Sequence, residues 1–122
     1  AKKPLVRRVS PGTHVNAIGA DAAGKQEIDL AVLAKAKVVI DDWAQASHSG
    51  EINVPLSQGR ITREDVYAEL GQIAAGKLPG RTSDEEITLF DSTGLAIQDA
   101  ASAWTVYQAC RDREDLLRLE LF

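Results

Sequence analysis

The chain has 122 residues, 44% of them hydrophobic and 26% charged, which is typical of one globular domain with a modest core. Its formal net charge is −4 and its basic residues cluster only near the amino end, which argues against a nucleic-acid-binding face. No apolar run approaches the roughly 20 residues of a membrane span, no signal peptide opens the sequence, and the single cysteine excludes an internal disulfide. We therefore expect a cytoplasmic protein that binds neither membrane nor nucleic acid.

The first part of the chain alternates between strand and helix patterns. Residues 13–20 are apolar and rich in β-formers, and they follow a Pro-Gly breaker, which predicts a strand. Residues 26–36 carry apolar side chains at helical spacing. The next segment, residues 37–42, is a short apolar run bounded by acids, which is typical of a parallel strand covered on both faces.

The middle of the chain is less regular, because glycines and a proline interrupt residues 43–61. Residues 62–77 read as a helix. Thr62 and Asp65 at its start resemble a capping box, although the usual partner would be Glu or Gln.

Three further elements close the sequence. Residues 85–90 are predicted to be a strand, residues 94–113 a long helix with an apolar stripe, and residues 116–122 a half-exposed strand. Alternation of strands and helices predicts an α/β fold with a parallel sheet. Its few strands correspond to half of a doubly wound domain, with a closing helix and strand at the carboxyl end.

Acidic residues lie at the carboxyl ends of the first three predicted strands, where ligands collect in parallel α/β sheets. Asp41 and Asp42 are interpreted as loop or helix-capping residues. Asp21 has no evident capping role, because the sequence after it offers a better helix start further on. An acid in that position is a candidate for binding an amine or moving a proton.

The segment Ser92-Thr93-Gly94 lies where a strand leads into a helix. Free backbone N–H groups at a helix start favour an anion or a carbonyl oxygen, but the same residues could simply cap the first turn. From the residues alone both interpretations stay open. Asp91, just before them, is expected to support the turn.

No metal site or nucleophilic triad is evident in the sequence. His14 begins a strand and His48 lies in a Gly/Ser loop without a second ligand at metal spacing, so both are interpreted as structural. Cys110 on the long helix is interpreted as a buried thiol.

Four blocks of the sequence carry a wider resemblance. They are "THVNAIGADAAGKQEIDL", "AKVVIDD", "SGEINVPLSQGRI" and "AELGQIAAGKLPGRTSDEEITLFDSTGLAIQDAASAWTVY". Together, over residues 11–111, they resemble the ornithine cyclodeaminase/mu-crystallin family, and most of all its archaeal-type alanine dehydrogenase branch. The resemblance implies a Rossmann-like dinucleotide-binding domain, NAD or NADP as cofactor, an amino acid as substrate and a homodimer in the complete enzyme.

The resemblance covers only the later part of that family's fold. The family binds the dinucleotide pyrophosphate with a Gly-rich turn after its first Rossmann strand, and these 122 residues contain no such turn. Residues 1–122 are therefore expected to be the C-terminal half of the Rossmann-like domain. The expected partner is the missing N-terminal half of the same enzyme, and the chain alone is expected to be inactive.

The resemblance also implies roles for individual residues. Asp21 would be catalytic and would hold the substrate amine, with Thr93 and Gly94 also at the substrate. The residues implied at the cofactor are Val15, Asn16, Ala17, Ile18, Lys25 and Ser92.

The chemistry implied is that of an alanine dehydrogenase, which converts L-alanine to pyruvate and ammonia by hydride transfer to the nicotinamide. An ornithine cyclodeaminase, which makes L-proline and ammonia from L-ornithine, resembles the same segment. Two non-enzymatic alternatives are a mu-crystallin-like protein that binds a dinucleotide or ketimine, and a small α/β interaction module that covers its sheet edge by self-association.

Overall fold

A computed structural model describes residues 3–117 of the chain. A four-stranded sheet forms its centre, all of its strand pairs are parallel, and the spatial order is β1-β4-β2-β3. The strands are β1 His14–Ala17, β2 Lys37–Ile40, β3 Ala68–Glu69 and β4 Thr88–Asp91. The prediction of an α/β fold with a parallel sheet is confirmed.

Five α-helices connect or follow the strands, and four of them are short. They are α1 Leu30–Leu33, α2 Trp43–Ala46, α3 Asn53–Ser57, α4 Leu70–Ala74 and α5 Ala96–Cys110, with one turn of 3₁₀ helix at Arg63–Asp65. Several glycines have positive φ, the conformation that an L side chain disfavours, and among them Gly50 and Gly94 turn the chain between these elements.

The core is aliphatic, as the low aromatic content requires. Side chains from the sheet, from α1 and from the segment before α3 pack together in it, including Val32, Leu33, Ile52 and Leu89. Three consecutive residues of β2 are buried, at positions 38–40, which confirms a strand covered on both faces.

The register of the sheet brings three strand ends to one level. Ala17 of β1 is opposite Asp91 of β4, and Asp91 is opposite Ile40 of β2. The loops that follow these three strands therefore leave the sheet side by side, and they carry the acids and hydroxyls that the sequence singled out.

Two predicted helices differ from the structure. The segment 62–77 is not one helix but the 3₁₀ turn, β3 and α4. The helix predicted over residues 26–36 begins only at Leu30, because Asp29 caps it by accepting a hydrogen bond from the Ala31 N–H at 2.9 Å.

The long carboxyl-terminal helix is confirmed as α5. None of the α5 residues is buried by the described part of the chain. Trp104 and Tyr107 stack with their ring centres 5.6 Å apart and stay 60% and 57% exposed. Of the strand predicted at 116–122, residues 118–122 lie outside the described part, and the two described residues are not in a strand. Within residues 3–117 no helix is long and apolar enough to cross a bilayer.

Candidate functional site

The candidate site lies at the carboxyl edge of the sheet, where the loops after β1, β2 and β4 meet. Parallel α/β folds bind their ligands at this edge, because strand ends and helix starts leave unpaired polar groups there. The sequence-predicted residues fall into two groups, one after β1 and one after β4.

Asp21 and Lys25 form the exposed part of the group after β1. The Lys25 ammonium donates a hydrogen bond to the Asp21 carboxylate. The side chain of Asp21 is 71% exposed and that of Lys25 is 46% exposed. This hydrogen bond, and then the positive charge of Lys25, lower the pKa of Asp21. The carboxylate is therefore ionised at neutral pH and can accept a proton or hold a cation.

The four residues predicted at the cofactor in β1 and just after it alternate in direction. Val15 packs against the core and Ala17 is buried, whereas Asn16 and Ile18 are exposed, Ile18 by 73%. The Ser92 N–H donates to the Ala17 carbonyl oxygen at 2.9 Å, so Ser92 lies beside the end of β1. The structure thus brings Ser92 together with the predicted β1 residues.

Asp41 organises the group after β4, which corrects its interpretation as an ordinary loop or capping residue. Its Oδ2 accepts hydrogen bonds from the Thr93 N–H at 2.6 Å and the Gly94 N–H at 3.0 Å, and its Oδ1 accepts from the Thr93 hydroxyl at 2.9 Å. Two of the N–H groups considered for an external anion are therefore used by an internal carboxylate. Asp42 does cap α2, by accepting from the Gln45 N–H at 3.0 Å.

Asp91 does not support the turn that follows it, contrary to expectation. Its fully buried carboxylate accepts from the Glu51 N–H at 2.8 Å and the Ile52 N–H at 3.2 Å. Burial raises the pKa of Asp91 to about 7, with the nearby carboxylates of Glu51 and Asp41 adding to the effect. A methyl group on Gly50 would come within 2.7 Å of the Asp91 oxygens, so only glycine fits there.

Sequence reasoning missed two buried polar residues in the irregular middle segment, Glu51 and Asn53. Both reach across to the backbone of the loop that carries Asp21. Burial raises the pKa of Glu51, and the Ile28 and Glu27 N–H groups partly oppose that rise. The only signal in the sequence is a Gly-Glu-Ile-Asn run without helical or strand periodicity, which does not reveal burial.

Both histidines make hydrogen-bond contacts within the fold, as the sequence suggested for His14. The His14 ring pairs with the Thr88 hydroxyl at 2.7 Å, and the His48 ring lies 2.9 Å from the Ala44 carbonyl oxygen. Cys110 is only half-buried, which corrects its interpretation as a buried thiol. Across residues 3–117 no three His, Cys, Asp or Glu side chains come together to hold a metal ion.

Comparison with known proteins identifies the family of the chain. The sequence profile of the ornithine cyclodeaminase/mu-crystallin family matches residues 4–114, which is most of the chain. The chain belongs to this family.

Two curated family relatives show how much of a protein the chain represents. Alanine dehydrogenase of Archaeoglobus fulgidus is 59% identical over 110 residues, which are 88% of this chain and 34% of that protein. Iminosuccinate reductase of Paracoccus denitrificans is 43% identical over 101 residues, 83% of this chain and 31% of that protein. The chain thus spans about a third of the length of the curated relatives it matches.

A solved structure of an archaeal alanine dehydrogenase dimer with bound NAD superposes with a TM-score of 0.89 at 53% identity. The match covers all of this chain and 39% of that one. The chain therefore has the parallel α/β fold of part of this NAD-bound structure.

Proposed function

We propose that the chain is the nicotinamide-proximal part of an NAD(P)-dependent amino-acid oxidoreductase of the alanine dehydrogenase type. One observation carries the proposal: Asp21, ionised and exposed, stands in the loop after β1 at the edge where this fold binds ligands. The similarity to alanine dehydrogenases of known sequence and structure supports L-alanine as the substrate.

The residues at the end of β1 fit the nicotinamide end of the cofactor. Ile18 presents an apolar, 73% exposed side chain there, which a flat ring can cover. Ser92 lies beside it, and Asn16 supplies a polar group on the same side of β1. The pyrophosphate would have to be held elsewhere, since these 122 residues contain no Gly-rich turn.

When bound, the nicotinamide supplies the acceptor for the hydride of the amino acid, which becomes an imine. Asp21 is suited to hold the substrate ammonium group, because its carboxylate is ionised and reaches solvent. From that position the ionised carboxylate would accept or relay the ammonium proton. Water then adds to the imine, and ammonia leaves to give pyruvate. Thr93 and Gly94, held by Asp41, line the neighbouring side of the site.

The complete protein would add the parts that these residues do not supply. We place residues 1–122 in the C-terminal half of a dinucleotide-binding domain, with the Gly-rich turn and the groups that bind the substrate carboxylate in an N-terminal part. A homodimer is the expected assembly, as in the archaeal alanine dehydrogenase structure.

The test is Asp21→Asn in the full-length protein that carries this chain. We expect kcat to fall by about 100-fold or more, the range of general acid–base catalysis, while the Kd for NAD stays within about twofold. Asp84→Asn, which changes an exposed acid in the loop before β4, is the matched control. Unchanged turnover in Asp21→Asn would assign Asp21 a structural role.

The alternative reaction of the family is separated by its products. An alanine dehydrogenase forms NADH and pyruvate from L-alanine, whereas an ornithine cyclodeaminase forms L-proline from L-ornithine without net NADH. Supplying each amino acid and measuring NADH absorbance and proline therefore distinguishes the two. A protein that binds NAD but turns over neither amino acid would favour the mu-crystallin-like, non-catalytic alternative.

A further inference from the structure

The loop that carries Asp21 is held by side chains from a distant segment of the chain, residues 50–53. We propose that Asn53 and Glu51 are positioning residues, which fix the backbone of residues 20–28 and thereby set the direction of the Asp21 carboxylate. The inference rests on the proposed function of Asp21, but its first test does not depend on activity.

Asn53 holds the middle of the loop with both ends of its amide. Its Oδ1 accepts from the Gly24 N–H at 2.9 Å, and its Nδ2 donates to the Lys25 carbonyl oxygen at 2.9 Å. Its Nδ2 also donates to the carbonyl oxygen of Gly50, within its own segment. The side chain is 5% exposed, so water does not compete for these hydrogen bonds. The amide of Asn53 offers both a donor and an acceptor, whereas the ionised carboxylate of an aspartate could only accept. This difference explains why position 53 carries an asparagine.

Glu51 holds the end of the loop. A single oxygen, Oε2, accepts from the Glu27 N–H at 2.9 Å and from the Ile28 N–H at 2.8 Å, and the side chain is fully buried. Two backbone donors on one carboxylate oxygen make a short, directional attachment. Glu51 thus fixes the point at which the loop rejoins the core at Ile28.

The segment 50–53 is itself anchored to the sheet, so it can act as a rigid support. Asp91 at the end of β4 accepts from the N–H groups of Glu51 and Ile52. The Gly50 N–H donates to the Ala20 carbonyl oxygen at 2.6 Å, directly before Asp21. The loop is therefore attached at its start, its middle and its end to one segment that β4 holds in place.

The side chains of Asp21 and Lys25 do not supply such an attachment, because both are exposed and pair with each other across the loop surface. Their direction must come from the backbone beneath them. A displacement of about 1 Å in a reacting group costs on the order of 100-fold in rate. Removing the attachment should therefore weaken catalysis without removing any group that touches substrate.

The first experiment is amide hydrogen exchange on the unmodified protein, without substrate or cofactor. We expect the Gly24, Glu27 and Ile28 amides to exchange at least 100-fold more slowly than in an unstructured peptide, because each donates to a buried side chain. Exchange at the rate of an unstructured peptide would overturn the proposal. This result would not depend on whether Asp21 is catalytic.

The second experiment compares Asn53→Ala with Gln58→Ala, an exposed amide at the end of the same helix, in the full-length protein. We expect Asn53→Ala to lower kcat about 10- to 100-fold, to move the acidic limb of the kcat/KM profile to higher pH as the Asp21–Lys25 pair loosens, and to leave NAD affinity unchanged. Gln58→Ala should match the unmodified protein.

The outcomes separate the two proposals. If Asp21→Asn abolishes turnover but Asn53→Ala changes neither kcat nor the acidic limb, the positioning role is wrong and the proposed function stands. If Asp21→Asn leaves turnover intact, the proposed function fails even where the loop amides are protected. If Asn53→Ala does not fold, the exchange experiment alone decides the positioning role.

Discussion

Two adjacent acids, Asp41 and Asp42, have different structural roles that the sequence does not separate. Asp42 accepts one backbone hydrogen bond at the start of α2, a helix of four residues. Asp41, which is 9% exposed, gathers the backbone and hydroxyl donors of Thr93 together with the backbone of Gly94. Asp41 therefore joins the end of β2 to the turn after β4, whereas Asp42 acts within its own helix.

The two acids should differ in their effect on stability. Asp41→Ala leaves several donors without their charged acceptor, and a hydrogen bond to a charged group contributes about 1.5–3 kcal/mol, so we expect a loss of roughly 3 kcal/mol. Asp42→Ala removes a helix cap, which costs about 1 kcal/mol. Urea unfolding of both variants at one pH measures the difference. Equal losses would show that the Asp41 contacts contribute no more than a cap.

Asp91 should make the stability of the protein depend on pH. Its pKa is about 7 in the folded chain against 3.8 ordinarily, so between these values the folded chain keeps a proton that the unfolded chain releases. The contribution of this proton to the free energy of unfolding is complete below about pH 4 and is lost as the pH rises to 7. The difference corresponds to at most about 4 kcal/mol. One Asp91 oxygen, Oδ1, has no hydrogen-bond partner within residues 3–117, so no hydrogen bond offsets the burial of negative charge on it.

Urea unfolding between pH 4 and 8 tests this with Asp91→Asn, which mimics the protonated acid. The free energy of unfolding of Asp91→Asn should rise relative to the unmodified protein as the pH increases from 4 to 7, and then level off. Asp84→Asn, at an exposed position, should run parallel to the unmodified protein throughout. Parallel curves for Asp91→Asn as well would mean that Asp91 titrates normally.

At the scale of elements, the sequence predicted the parts whose apolar pattern is strong. The strands β1, β2 and β4 and the helix α5 were predicted within a few residues of their observed bounds, because apolar runs and long helical periodicity report burial and helix formation directly. These strands also predicted where each strand ends, and therefore that Asp21 and Ser92 lie at the carboxyl edge of the sheet.

In the segment 62–77 the local pattern predicted a helix, and this prediction is wrong. Its capping box is real, since the Thr62 N–H donates to the Asp65 carboxylate at 2.7 Å, but it opens only a 3₁₀ turn. The Tyr67 N–H then donates to the Val38 carbonyl oxygen at 2.9 Å, and β3 pairs with β2. Pairing with the sheet overrides helix propensity, and a strand of two residues leaves no periodic signal.

The residues of the candidate site also differ in whether the sequence predicts them. Asp21 could be found because it follows a recognisable strand. Glu51 and Asn53 could not, because their partners in the Asp21 loop are backbone groups 23 to 29 positions away and their own segment has no periodicity. A sequence shows which residues carry chemistry more readily than which residues hold them in place.

At the scale of the whole molecule, two apolar or unpaired surfaces stay uncovered among the described residues. β1 is at the edge of the sheet, with one neighbour among the described strands, and α5 exposes Ile97, Trp104 and Val106 by 60% or more. An unpaired parallel edge and an uncovered apolar helix are costly in water. Both are consistent with a chain that spans about a third of its curated relatives.

The chain of 122 residues on its own should accordingly bind NAD weakly and have no alanine dehydrogenase activity. A Gly-rich turn at a helix start supplies much of the affinity for a dinucleotide through the pyrophosphate, and none is present here. If the residues at the end of β1 contact only the nicotinamide end, as we propose, nicotinamide mononucleotide should bind about as well as NAD. The full-length protein, in contrast, should prefer NAD by at least tenfold. Calorimetric titration of both ligands into both proteins measures this. A preference for NAD in the 122-residue chain would mean that it holds the pyrophosphate by another route.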